Sequence, residues 1–140
     1  MLKRLLSYEI SNLWFLKLEI TENNRDAVVE WLEDRSKFHI WLTSIATGSV
    51  VFLAATQEPQ VQITELHSII KMVSFLLMFF SILTNMICIL SIPTWKYHVK
   101  TGQITQGTIM RLELGISTWI SVLSFILGML GAIIFLIIPV

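Results

Sequence analysis

Apolar residues gather in three long runs, at 38–56, 69–92 and 114–138, separated by short polar stretches. Each run is close to the roughly 20 apolar residues that cross about 30 Å of hydrocarbon, so each is expected to be a transmembrane helix. The third is the most apolar and closes on "LGAIIFLIIPV", whereas the first is diluted by Thr43, Ser44, Thr47, Gly48 and Ser49. Ahead of the first run, Leu2, Leu5, Leu6, Ile10, Leu13 and Leu16 recur at helical spacing, which predicts an amphipathic helix over 2–18 at a membrane surface. "FLKLEI" at 15–20 also alternates, so a short extended segment competes with the end of that helix.

"TENN" interrupts the pattern, and Asn23 or Asn24 is a candidate N-cap with Asp26 in the first turn. From there Ala27, Val28, Trp31, Leu32 and Arg35 share one helical face. Glu33 and Lys37 form a favourable i,i+4 pair, and Glu30 and Asp34 an unfavourable one. No glycine, proline or turn cluster lies between this charged segment and Phe38. The two are therefore expected to be one rod of about 30 residues, ~45 Å at 1.5 Å per residue, in which lateral movement of the charged half tilts the membrane half. Pro93 is expected to end the second helix, and "KTGQITQGT" reads as a connector. The fold class is an all-α membrane protein: a helical cytosolic or interfacial segment at 1–37, then a three-span domain at 38–140.

Composition agrees. Over 140 residues, 54% are hydrophobic and the mean hydropathy is +0.71, too apolar for a soluble domain of this size. The net charge of zero hides an alternation that sets orientation. Lys3, Arg4, Lys17, Arg25, Arg35 and Lys37 precede the first span; only Lys71 lies near the next loop; Lys96, Lys100 and Arg111 separate the second span from the third. This predicts a multi-pass protein with its N-terminus in the cytoplasm and its C-terminus outside. The lone Cys88 falls within the second span and forms no intrachain disulfide. "MLKRLLSYEI" starts like a secretion signal, but Ser7, Glu9, Ser11 and Asn12 break its apolar run, so it is expected to stay on the mature chain.

No sequence motif of a nucleotide loop, a serine hydrolase or a zinc protease is present, and no enzymatic activity, catalytic residue, cofactor, metal or nucleic acid is expected. His39, His67 and His98 fall at three separate boundaries and read as surface histidines. No Asp or Glu lies mid-span, which argues against a carboxylate proton relay. What stands out is a set of small and hydroxylated positions at 3- and 4-residue steps. These are Thr43, Ser44, Thr47 and Gly48 in the first span and Ser81 and Asn85 in the second. In the third they are Ser117, Ser121, Ser124, Gly128, Gly131 and Ala132. Such residues let helices approach closely, and Asn85 can hydrogen-bond across an interface; the sharper alternative is that one stripe lines a wet lumen in an oligomer. Glu113 reads first as an acid near a helix N-terminus and second as part of a carboxylate ring at a pore mouth. Trp31, Trp41, Trp95 and Trp119 suit interfaces and packing.

At "VVEWLEDRSKFHIWLTSIATGS" the chain resembles the transmembrane effectors of bacterial anti-phage signalling, the Pycsar-type membrane effectors and SLATT-domain proteins. Trp31, Asp34, Lys37 and Pro93 carry the resemblance, over about 65 residues. The Asp34–Lys37 spacing is one residue longer than in that pattern, Phe38 stands where that pattern has alanine, and a third span is added. The resemblance implies a homo-oligomeric effector in the bacterial inner membrane, with Trp31, Asp34 and Lys37 coupling a cytosolic nucleotide signal or protein trigger to a pore or to bilayer disruption. The alternative is a non-catalytic accessory or anchoring subunit of a larger membrane complex.

Overall fold

The structure, a computed structural model, describes residues 19–55 and 65–137; the helix expected over 2–18 and residues 56–64 lie outside them. Three helices follow one another: α1 (Arg25–Ala55), α2 (Glu65–Lys100) and α3 (Thr108–Ile137). All three are long and apolar enough to cross a membrane, and the chain is a multi-pass, all-α membrane protein. Successive helices run antiparallel, so the start of α1, the end of α2 and the start of α3 meet at one end, here called the charged end. α2 is the central helix and packs against both others, while α1 and α3 touch one another little.

α1 is an unbroken helix of 31 residues, about 46 Å long, as its uninterrupted pattern predicts. Asn24 accepts the first helical bond at its carbonyl, from Val28 N–H at 3.0 Å. Its side chain serves the preceding turn, accepting from Thr21 N–H at 2.8 Å and donating to Glu19 O at 2.8 Å. That turn aims Glu19 and Ile20 at the α2–α3 connector. Glu19 forms an isolated bridge with Gln106 and Ile20 N–H donates to Thr105 O at 2.9 Å; the rest of the extended alternative at 15–20 lies outside the described residues.

The helix α2 does not stop at Pro93. It continues to Lys100, placing Pro93 in its interior. An internal proline forfeits one backbone bond, a cost of about 3 kcal/mol or more. Burial offsets it: Pro93 itself faces outward, whereas Ile92 and Val99 on either side are sealed against the other helices. The helix ends where Gly102, at φ 69°, takes the left-handed conformation. Gly102 N–H donates to Val99 O at 3.2 Å and Gln103 N–H to His98 O at 3.1 Å, the paired bonds of a Schellman cap.

The overrun of α2 gives the charged end a core of its own. Ile20, Val28, Val29, Leu32, Cys88, Ile92, Val99, Met110 and Leu114 form one apolar cluster, with Trp31, Trp95 and Ile104 against it. Lys96 Nζ donates to Glu33 Oε1 across the α1–α2 seam. The charged half of α1 is thus packed in place rather than projecting freely.

Lys96, through its hydrogen bond and then its charge, holds the Glu33 carboxyl below its ordinary range. A depressed carboxylate stabilises the fold above its unfolded pKa, and that contribution disappears as pH falls through the folded value. Because the pair is exposed, its effect at neutral pH is small and screened by salt. Wild type and Glu33→Gln are expected to differ slightly in melting temperature at neutral pH and low salt, and to converge below about pH 4.

Candidate functional site

The three helices cross at a buried polar junction just inside the charged end. On α1, Leu32, Arg35, His39, Leu42 and Ala46 follow at 3- and 4-residue steps and are all buried. Two members of that apolar stripe are therefore polar. The Arg35 guanidinium is 3% exposed; its Nη1–H donates to Thr118 Oγ1 of α3 at 2.6 Å and its Cζ lies 5.1 Å from the Trp31 ring centroid. His39 is 0% exposed, with Nδ1 2.6 Å from Asn85 Oδ1 of α2 and Nε2 3.3 Å from Thr118 Oγ1.

The protons in this junction follow from the fixed backbone acceptors. Asn85 Nδ2–H donates to Ser81 O at 2.9 Å, which leaves Oδ1 facing His39. A reversed amide would set Oδ1 against the Ser81 carbonyl, so His39 carries a proton on Nδ1 and donates it to Asn85. Thr118 has a single hydroxyl proton, directed to Leu114 O at 2.6 Å, while its oxygen accepts from Arg35. Deeper along the α2–α3 seam, Ser81 Oγ–H donates to Ser121 O at 2.8 Å. Cys88 lies beside Ser117.

The small positions of α2 and α3 face one another inside a single chain. Ser81, Asn85, Ser121, Ser124, Gly128 and Ala132 are buried, and Ser117 is half-buried. A Cβ built on Gly128 would lie 2.8 Å from Met78 Cγ and 3.2 Å from both Met78 N and Ser74 O, and one on Gly131 would strike Ser74 Oγ. This is close packing of α2 against α3 within one chain.

The first-span group behaves differently. Thr43 is half-buried, while Ser44, Thr47 and Gly48 are exposed, and nothing lies within 4 Å of a Cβ on Gly48. At 100° per residue, Ser44 and Gly48 lie on the side of α1 opposite Leu32, His39 and Ala46, and Thr47 lies on the flank between. The hydroxyls are bonded within the helix: Thr43 to His39 O, Ser44 to Ile40 O and Thr47 to Thr43 O, at 2.8, 2.9 and 2.8 Å.

No family model, curated protein or solved structure matches the chain. Of the residues carrying the resemblance to anti-phage effectors, Trp31 stacks on Arg35, Asp34 holds Lys37 at 3.3 Å on the helix surface, and Pro93 is exposed. Glu113 is exposed near the start of α3.

Two residues central to the junction were not anticipated as such. His39 reads in the sequence as a surface histidine, and the structure corrects this: it is wholly buried. Arg35 falls on the predicted apolar face of α1 but was not identified as a junction residue. The signal that locates His39 is its place four residues after Arg35 and seven after Leu32, on the same stripe. Removing its partner is measurable. Asn85→Ala leaves the Nδ1–H without its acceptor and the Ser81 carbonyl with its helical bond alone, and the expected loss is about 1–2 kcal/mol, seen as a lower melting temperature in detergent.

Proposed function

We propose that the protein is a self-associating membrane effector, whose copies meet through the outward face of α1 and open a path, or disrupt the bilayer, when the charged end is engaged. The observation that carries this reading is the two-sidedness of α1. One face is fixed to its own bundle by Arg35 and His39; the opposite face presents Ser44 and Gly48, with exposed Thr47 on its flank and open space over the glycine. Small residues favour close helix contact in lipid, and hydroxylated ones tolerate a wet lining.

The charged end gathers Arg25, Arg35, Lys37, Lys96, Lys100 and Arg111, against Lys71 alone near the other end of the described helices. That bias supports a cytoplasmic charged end, an outside C-terminus and an inner-membrane location. The resemblance at Trp31, Asp34, Lys37 and Pro93 supports an anti-phage role with a nucleotide or protein trigger.

Purified protein in liposomes loaded with a self-quenching dye tests the activity. Release that rises with protein-to-lipid ratio, and that Gly48→Leu reduces without altering the bundle, supports it. Tight liposomes at every ratio, with stable protein recovered only beside another polypeptide, favour the accessory-subunit alternative.

A further inference from the structure

We propose that His39 is a proton-controlled latch: neutral, it ties α1 to α2 through Asn85 and leaves the Arg35–Thr118 bond to α3 undisturbed; protonated, it sets a second cation beside Arg35 and loosens α1 from both helices. The latch follows from valences at one atom, Thr118 Oγ1. That oxygen accepts from Arg35 Nη1–H at 2.6 Å and gives its only proton to Leu114 O at 2.6 Å. His39 Nδ1–H is committed to Asn85, so neutral His39 presents the Nε2 lone pair to an oxygen whose proton points elsewhere, at 3.3 Å. A proton on Nε2 would complete the second lone pair of Thr118, but it would set an imidazolium next to the Arg35 guanidinium on a shared hydroxyl. The junction satisfies either the hydrogen bond or the charge.

The surrounding groups decide which. From α1, the charge bearing on His39 is Arg35. From α2 the groups at the junction are Asn85, which is neutral, and Cys88, a buried thiol. From α3, Thr118 is neutral, Arg111 acts on Arg35, and Glu113 acts on Cys88 from an exposed position. No carboxylate contacts His39 among the described residues. A second buried cation is therefore unfavourable in the packed state, whereas the unfolded chain takes the proton freely, so stability falls as pH falls through the histidine range. Because α1 and α3 touch little, weakening the bonds at Thr118 loosens their contact above the apolar cluster at the charged end. The latch would gate α1 in the effector reading, but its test reads the folded bundle and does not depend on pore formation.

Melting in detergent, followed by the fluorescence of Trp31 and Trp95 packed against the apolar cluster, gives a readout at both pH values. Wild type is expected to melt about 5 °C lower at about pH 5 than at about pH 8. His98→Gln, which alters a histidine outside the junction, should follow wild type, and His39→Gln should be flat. Parallel falls in wild type and His39→Gln overturn the latch. If His39→Gln does not fold, Asn85→Asp substitutes: a carboxylate at the Asn85 position, beside Nδ1, should abolish the fall, and an undiminished fall overturns the proposal.

Discussion

Gly128→Leu is expected to abolish the folded bundle, while the same change at Gly48 leaves one chain's fold intact. Both glycines sit mid-helix in apolar stretches, and only their neighbours differ. At Gly128 the obstacles include backbone, Met78 N and Ser74 O each 3.2 Å from a Cβ, besides Met78 Cγ at 2.8 Å. Backbone cannot rotate away, so α2 and α3 would have to move apart, and the seam formed by Ser81, Ser121, Ser124 and Ala132 would open with them. Even Gly128→Ala adds one methyl to a filled space, at about 1–3 kcal/mol, only partly offset by alanine's helix preference of about 1 kcal/mol over glycine. At Gly48 and Gly115 nothing lies within 4 Å, so Gly115→Ala is expected to be neutral or slightly stabilising. Yield of monodisperse protein and melting temperature in detergent decide this. A Gly128→Leu protein as stable as Gly48→Leu would contradict the packing described for α2 and α3.

Ser36→Pro carries the other large expected effect. The substitution removes the Ser36 N–H bond to Leu32 O and crowds that carbonyl, at about 3 kcal/mol or more. Its position lies between Arg35 and His39, so the break falls within the junction and divides the charged half of α1 from its membrane half. Hydrogen exchange should then show residues 25–35 losing protection while 40–55 keep it, and dye release should be lost. Ser36→Gly, costing about 0.5 kcal/mol, should lie between. Unchanged release from a protein whose exchange shows a true break would eliminate the rod as a transmitter. Pro93 shows what compensation requires: there, buried Ile92 and Val99 and the cap at Gly102 hold the helix. Ser36 has a different setting, with the exposed Lys37 after it and the polar Arg35 before it.

Much of this architecture can be read from the residues alone. The three helices follow from run length and apolarity, and α1 is unbroken because nothing between Glu30 and Phe38 breaks helices. The α3 stripe from Ser121 to Ala132 faces inward because its spacing allows only one face, and Asn85 finds a cross-helix partner because a buried amide requires one. What stayed hidden depends on which face a residue occupies and what lies opposite. Averaged apolarity places His39 at the edge of a span, where histidine is ordinarily exposed, but its stripe carries it inward. Hydroxylated residues look alike in sequence. In α3, Ser121 and Ser124 meet α2, whereas in α1, Ser44 and Thr47 bond to their own backbone and are exposed. Pro93 reads as a stop because intrinsic cost is local, while the packing that overcomes it comes from α1 and α3.

The central claim is that copies of the chain associate through the outward face of α1. Its most direct test is the mass of the purified protein in native nanodiscs, compared with Gly48→Leu, without added partner. A single discrete homo-oligomer for wild type, shifted to smaller species by Gly48→Leu at unchanged melting temperature, is the predicted result. A monomer in both would contradict the claim.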